Sequence, residues 1–326
     1  MITLVTGATG LVGNNVVRLL LERGHRVRVL GRTGSDSRPL ADLDVERATG
    51  DIRDADSLRA ACRGVGRVIH AAARVHIGWS GLAEQRAVNV EGTRNVALAA
   101  RDAAARLVHV STVDTMGRGT RQCPADEETP LGRHVECPYV VTKREAEKLV
   151  LELVPQGLDA VIVNPAYMLG PWDWKPSSGR MLLAVARGQG FAAPPGGNDF
   201  CDVRDVAAGI LAAAETGIAG RRYILGGHPL SYYEAWSLFA EITGRRRPMR
   251  VMRVPVVHML GALGSLWGRI TGREPDLNRA AAAMSVMEHH FSAERAVREL
   301  GYQMRSVRET AVAAWEWFVG HGYARL

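Results

Sequence analysis

Short runs rich in aliphatic and β-branched residues alternate with helical spacing through the first half of the chain, and this alternation restricts the fold more than any other feature. The runs are Ile2–Thr6, Val27–Leu30, Val45–Thr49, Val68–Ala72, Leu107–Ser111 and Ala160–Asn164. Between them Leu11–Arg23, Asp54–Cys62, Leu82–Ala105 and Tyr139–Val154 carry apolar residues at helical intervals. Buried strands separated by helices read as a parallel sheet covered on both faces, with right-handed crossovers. The expected fold class is therefore α/β, doubly wound.

Past Asn164 the texture changes. Residues 165–200 are rich in Pro, Gly and Trp and read as loops around a helix near Met181–Arg187. Val203–Glu215 is helical, Arg222–Gly226 is a further strand, and from Ser231 onward helical spacing is interrupted by Gly and Pro. The expected division is a sheet domain over residues 1–164 plus 200–228 and a smaller, mostly helical domain over 165–199 plus 229–326.

Charge and composition exclude several classes. The net charge of +7 rests on 38 arginines and three lysines scattered among 34 acidic residues, without the interleaved aromatics of a single-strand binder, so no nucleic-acid partner is expected. No window reaches the roughly 18–20 apolar residues of a membrane-spanning helix. The first thirteen residues carry no signal-peptide pattern, and a cytoplasmic location is expected. Cys62, Cys123, Cys137 and Cys201 are too widely spaced for a zinc site, and His289-His290 has no partner at ligand spacing, so no metal is expected. Met252, Met259, Leu260, Leu263 and Leu266 place an apolar stripe on Val251–Ile270; core packing is the expectation and a membrane-surface patch the alternative.

Gly7, Gly10 and Gly13 follow the first strand and open the first helix. Glycines at that turn let the backbone approach a pyrophosphate, which the positive helix end attracts. This marks the first domain as dinucleotide-binding, a doubly wound parallel Rossmann sheet, with the second domain left to the substrate. The second strand ends Gly31-Arg32, with Arg38 nearby and no acid at the point where one would bind the ribose hydroxyls of NAD. A guanidinium there suits the extra phosphate of NADP, the expected cofactor, with NAD less favoured. Asp51 and Ile52 follow the third strand, placed to reach the adenine, and Ala71, Ala72 and Ala73 leave room beside the fourth.

Tyr139 and Lys143 stand four apart on a predicted helix, hence on one face. An ammonium beside a phenol is expected to lower the phenol's pKa and make it a usable acid or base. Ser111 and Thr112 end the preceding strand, where a hydroxyl can hold a carbonyl oxygen.

With these residues in order, TGATGLVG, GDIRD, HAAA, VNVEGTRNV, VSTVDTMG and YVVTK over residues 2–143, then NPAYMLGP and FCDVRDVAAG to about residue 209, the sequence resembles the extended short-chain dehydrogenase/reductases, within the NAD-dependent epimerase/dehydratase superfamily. GPWDWKPSSGR, RYILGG and the helical C-terminal half resemble the dihydroflavonol-reductase-like group and the hopanoid-associated sugar epimerases. The resemblance implies Tyr139 as general acid/base, Lys143 on the nicotinamide ribose and the phenol, and Thr112 as the partner hydroxyl. It implies backbone contacts to the dinucleotide from Gly7, Thr9, Gly10, Leu11, Val12 and Gly13, and nicotinamide contacts from Pro165 and Ala166. Asn89 matches an asparagine that supports the site. A homodimer through Leu82–Ala105 and Tyr139–Val154 is also implied, and alanines at 97, 99, 100, 103, 104 and 105 suit close helix approach.

Three readings compete: an NADPH-dependent reductase of a ketone or aldehyde, a nucleotide-sugar epimerase, and a non-catalytic dinucleotide sensor. Thr112-Val113-Asp114 lacks the first acid of the Thr-Asp-Glu found in dehydratases. Asn198-Asp199-Phe200 lacks the arginine that clamps a nucleotide diphosphate in many epimerases, a loss for which other arginines, including Arg180 and Arg204, could compensate. Trp79, Trp172, Trp174 and Tyr167 fall in loops where they could wall an apolar or ring-shaped substrate. The expectation is therefore the reductase.

Overall fold

The computed structural model describes residues 1–132 and 135–325. Its strands are β1 (Ile2–Thr6), β2 (Arg26–Gly31), β3 (Glu46–Thr49), β4 (Val65–His70), β5 (Arg106–Val110), β6 (Ala160–Pro165), β7 (Tyr167–Leu169), β8 (Ala192–Ala193), β9 (Gly197–Asp202), β10 (Arg222–Leu225), β11 (His228–Ser231), β12 (Arg250–Val251) and β13 (Glu288–His289). The helices are α1 (Leu11–Glu22), α2 (Ala55–Ala61), α3 (Leu82–Arg86), α4 (Gly92–Asp102), α5 (Pro138–Leu153), α6 (Arg180–Ala186), α7 (Val203–Thr216), α8 (Tyr232–Ile242), α9 (Val254–Thr271), α10 (Arg279–Ser285), α11 (Glu294–Leu300) and α12 (Val307–Gly320).

Seven strands form one parallel sheet in the order β10-β6-β5-β4-β1-β2-β3. Because side chains alternate along a strand, Leu4, Val68, Leu107 and Ile162 face a core layer with Val96 of α4 and Val150 of α5. Val5, Ile69, Val108 and Val163 face the opposite layer, with Val17 of α1 and Ile210 of α7. The chain leaves β1 for β2 on one side and returns to β4 on the other. Such a reversal opens a crevice at the carboxyl ends of β1 and β4.

Two local differences from the expected elements have physical causes. Leu82–Ala105 is interrupted by a π-helical turn, Ala87–Glu91, between α3 and α4. Asn89 in that turn donates to Arg74 O (3.1 Å) and Thr142 Oγ1 (3.0 Å) and accepts from Arg74 N (2.8 Å). The widened turn thus turns an amide toward the loop after β4. The second half also carries a small sheet, β11-β9-β13 with β7 beside β9, whose strands are too short for periodicity to reveal. Ala97, Ala99, Ala100 and Ala105 are buried within the subunit in the α4 layer.

His70 of β4 and His109 of β5 lie side by side inside the sheet, ring centroids 5.5 Å apart. Burial, with a smaller contribution from the nearby Lys143 charge, holds His70 at about 3, and the same causes hold His109 well below its ordinary value. Burial also holds His289 at about 4. The folded-state values lie below the ordinary 6.5, so the unfolded chain takes up protons first as pH falls, and stability is lost from about pH 6.5 downward. His70 and His289 should each remove about 2 kcal/mol at pH 5. The urea midpoint should therefore drop steeply between pH 7.5 and pH 5; an unchanged midpoint would place the histidines elsewhere.

Candidate active site

The crevice holds an open groove of about 530 Å³ lined by Gly7, Thr9, Gly10, Arg32, Asp51, Ile52, Ala71, Ala72 and Ala73. Gly7 has φ +75°, and a Cβ there would stand 2.6 Å from Ala72 N and 2.7 Å from Ala71 C. A Cβ on Gly13 would collide with the Gly7 carbonyl. Glycine is required at both positions for α1 to seat against the end of β1. Helix α1 starts with neither a side-chain cap nor an acid in its first turn. The first-turn N–H groups of Leu11, Val12 and Gly13 thus have no intrahelical acceptor, and the positive helix end suits a pyrophosphate. The side chains of these three residues do not line the groove.

At the far end of the groove, two acids are already paired. Arg38 hydrogen-bonds Asp36 (2.8 Å) and holds its carboxyl at about 2. Arg53 hydrogen-bonds Asp51 (2.8 Å) and, with a smaller contribution from Arg32, lowers its pKa. Arg32 itself makes no salt bridge among the described residues, and neither does Lys175, which also lines the groove. Lys175 belongs to the loop that docks on α1, where Asn15 Nδ2 donates to Pro171 O (3.0 Å) and Arg18 lies 3.3 Å over the Trp172 ring. Ser35, Asp36, Arg53, Arg74 and Lys175 were invisible as groove residues in the sequence; only their folded neighbours reveal them.

Beyond the alanines lies the reactive end. Thr112 follows β5 and caps a single 3-10 turn, Val113–Thr115. Its hydroxyl donates to Asp114 Oδ2 (3.2 Å) and hydrogen-bonds the Tyr139 phenol, whereas the buried Ser111 hydroxyl has no partner. Tyr139 and Lys143 lie in the first two turns of α5, and both are buried. Burial drives the phenol pKa up, Asp114 raises it further and the Thr112 bond offsets only part. This differs from the expected lowering by Lys143: the ammonium donates to Val110 O (2.8 Å), and burial brings it down to about 8 against the opposing pull of Glu147. The phenol is therefore held protonated.

Glu147, one turn beyond Lys143, went unremarked in the sequence, where the i,i+4 spacing was its only signal. It is almost fully buried and accepts from Thr115 Oγ1 (2.6 Å), Asn164 Nδ2 (2.6 Å) and Arg222 Nε (2.9 Å). Pro165 and Ala166 are buried at the end of β6, outside the lining of the groove, with Ala166 N donating to Leu225 O (3.2 Å).

The second half closes over this end. Ala280 of α10 packs with Tyr139 and Val140. A small pocket in front of α5 is lined by Asp114, Arg118, Val135, Val140, Met284, Met287 and His289. Glu274 latches the loop after β4, accepting from Trp79 N (3.0 Å), Ser80 N (3.1 Å) and Ser80 Oγ (2.6 Å) and pairing with His76 Nε2 (3.0 Å). Trp172 and Trp174 do not wall this pocket: they pack on Trp317 and His321 at the end of α12. Tyr167 packs on Phe200, and its hydroxyl donates to Ser178 O (2.7 Å). Among the described residues no cluster of His, Cys, Asp or Glu could hold a metal ion.

Residues 3–226 match the NAD dependent epimerase/dehydratase family. The chain is 37% identical over 326 residues to sterol demethylase protein B of Methylococcus capsulatus, covering 99% of each chain. It is 35% identical to a putative dihydroflavonol 4-reductase of Synechocystis, over 98% of this chain and 95% of the relative. A solved nucleoside-diphosphate-sugar epimerase from Pseudomonas aeruginosa superposes with a TM-score of 0.82 at 26% identity, covering 100% of this chain and 99% of that one. A glycine-lined groove at the carboxyl ends of β1 and β4 and a buried Thr112, Tyr139 and Lys143 cluster thus stand on the fold these relatives share, and the chain belongs to the NAD dependent epimerase/dehydratase family as an extended short-chain dehydrogenase/reductase, an NAD(P)-dependent oxidoreductase.

Proposed function

We propose that the protein is an NADPH-dependent reductase of a ketone or aldehyde, with Tyr139 as proton donor. The observation that carries the choice of a reductase over a nucleotide-sugar epimerase is the state of two arginines. Arg180 pairs with Asp276 (2.6 Å) and Arg204 with Asp202 (2.6 Å), so these two candidates for the missing diphosphate clamp are committed to carboxylates. Asp199, in the stretch where that clamp would stand, accepts from Phe291 N (2.7 Å) and pairs with His290 (2.9 Å). Met284, Met287, Val135 and Val140 give the small pocket before α5 an apolar side, opposite Asp114, Arg118 and His289. The dihydroflavonol 4-reductase name of one relative agrees with carbonyl reduction.

In this reading the first turn of α1 holds the pyrophosphate, Asp51 and Ile52 flank the adenine, and Arg32 and Lys175 receive the 2′-phosphate. The bound dinucleotide supplies hydride. Thr112 orients the substrate carbonyl against the Tyr139 phenol, which gives its proton to the oxygen as it gains charge. Burial keeps that proton on the phenol until the carbonyl needs it. Lys143, charged below about pH 8, holds the nicotinamide ribose. Asn89 positions Thr142 on the same helix.

Tyr139→Phe should reduce turnover by roughly 10²–10⁴-fold while leaving dinucleotide affinity nearly intact. Thr112→Ala should do comparable damage, and Ser111→Ala much less. Net oxidation of NADPH on a panel of ketones and aldehydes, read at the reduced-nicotinamide absorbance, tests the reaction; recycling without net oxidation on nucleotide sugars would replace it with epimerisation.

Arg32→Ala should weaken NADPH by roughly tenfold to a hundredfold and leave NADH nearly unchanged, as expected for one charge-assisted phosphate contact. Equal losses, measured by fluorescence titration, would remove the NADP assignment. A homodimer through α4 and α5 would have to be built on their outer faces, Leu98, Glu145 and Lys148 among them, because the alanine face is already buried. Light scattering at micromolar concentration should give twice the chain mass; a monomeric mass removes the dimer.

A further inference from the structure

Helix α9 is packed inside out. The face it presents to the protein is small: Gly261 lies against Ala282 and Asn278, Gly264 against Leu277, and Gly268 against Glu274 and Pro275. Apart from the buried Val257 and the half-buried Leu260, its large apolar residues point away. Val256, Met259, Leu263, Leu266, Trp267 and Ile270 recur at helical intervals and are all exposed, Trp267 at 63% and Ile270 at 72%. A helix that only completes a core turns its large apolar residues inward. The sequence stripe is therefore real, but it is an outer face rather than the core expected of it. Phe191, Met249 and Val251 extend it beyond the start of the helix, where Met249 N donates to Phe191 O (2.8 Å) and β12 pairs with β8.

The charge around this face is one-sided. From Ile242 to Arg273 the chain has no acidic residue and seven arginines. Arg246, Arg250, Arg253, Arg269 and Arg273 are exposed and make no salt bridge among the described residues. Other exposed arginines of the second half are paired, Arg180 with Asp276 and Arg308 with Glu241 among them. No helix among the described residues is long and apolar enough to cross a membrane. An outward apolar stripe with tryptophan at its edge, flanked by unneutralised cations, is what a helix lying in the headgroup region requires.

We propose that α9 and the β8–β12 corner form a docking face for an anionic phospholipid bilayer, the helix lying in the plane of the surface. The stripe supplies insertion, and the arginines supply attraction to phosphate headgroups. The face borders a cavity of about 880 Å³ between α9, α10 and the Trp79–Ser80 loop, lined by His258, Ala262 and Ser265 on the adjacent side of the same helix. Since α10 also packs on Tyr139, docking would set the cap beside the lipid phase. The proposal stands apart from the chemistry assigned to Tyr139 and is tested without turnover.

The full chain should float with vesicles of equal parts phosphatidylglycerol and phosphatidylcholine at low salt, and remain unbound with phosphatidylcholine alone. Binding should weaken as salt rises. Arg250→Gln with Arg253→Gln and Arg269→Gln should reduce the partition coefficient by roughly a hundredfold, about fivefold per arginine. Leu263→Gln with Leu266→Gln should abolish flotation while the far-UV spectrum and dinucleotide binding are retained. Brominated lipid should quench tryptophan fluorescence, and Trp267→Leu should remove that quenching. Failure to float with anionic vesicles would overturn the proposal. So would binding indifferent to the two leucine substitutions, or a dimer that those substitutions disperse, which would make a second copy of the chain the occupant of the face.

Discussion

The buried carboxylate of Glu147 is the interaction on which the reactive end depends. It gathers Thr115 from the turn after β5, Asn164 from β6 and Arg222 from β10, and it faces Lys143 one turn back on α5. Each bond to an ionised group contributes about 1.5–3 kcal/mol, and loss of one partner would leave the others buried and unpaired. α5 is therefore pinned to three neighbouring strands at its middle, which fixes the rotation of its first turns. Tyr139 and Lys143 inherit their positions from that rotation. Asn164 also donates to Thr112 O (3.0 Å), so the same hub positions the hydroxyl that meets the phenol.

A second set of contacts governs how the cap meets the groove. Glu274 is held at about 2 by bonds from Ser80, Trp79 and His76 that outweigh its partial burial, so it stays ionised and keeps the loop after β4 closed against α10. Asn278 Nδ2 donates to Ile77 O (2.7 Å) in the same seam. On the opposite side Asp173 accepts from Ser177 N (3.0 Å) and Gly179 N (3.2 Å), shaping the loop that brings Lys175 to the groove. Burial raises Asp173 to about 6, so this loop tightens as its carboxylate ionises above that pH.

The glycine spacing and the Tyr-x-x-x-Lys pair were legible in the sequence because their geometry is local: a turn and one helical repeat determine it. All seven strands of the main sheet were legible for the same reason, to within a few residues at their ends. Lys175, Asp114 and the Glu147 hub were not, because their roles depend on partners brought near by the fold; Arg222 lies 75 positions from Glu147. Trp172 and Trp174 illustrate the converse. Aromatics in a loop beside a crevice suggest a substrate wall, but Trp317 and His321, far along the chain, draw them into the cap core. For α9, periodicity disclosed the stripe but could not say which face was inward. The glycines at 261, 264 and 268 decide that, since a close approach to residues 274–282 needs them inside.

The arginines connect these observations. There are 34 acidic residues against 38 arginines and three lysines, and where a cation stands without an acid is informative. Arg204 and Arg305 are matched with the buried Asp202 and Asp205, and Arg180 with Asp276 in an exposed pair that adds little stability. Its effect is to neutralise the surface, removing the attraction that a diphosphate would need. Guanidiniums without a salt bridge among the described residues include Arg32, at the open end of the groove, and those around α9. A cation left without a carboxylate remains strongly attractive to an external anion, and more so beside an apolar surface that excludes water. One such position lies where a dinucleotide's extra phosphate would sit, the other beside an exposed apolar helix. The same residue type that closes the cap to one class of phosphate thereby leaves two other surfaces open to it.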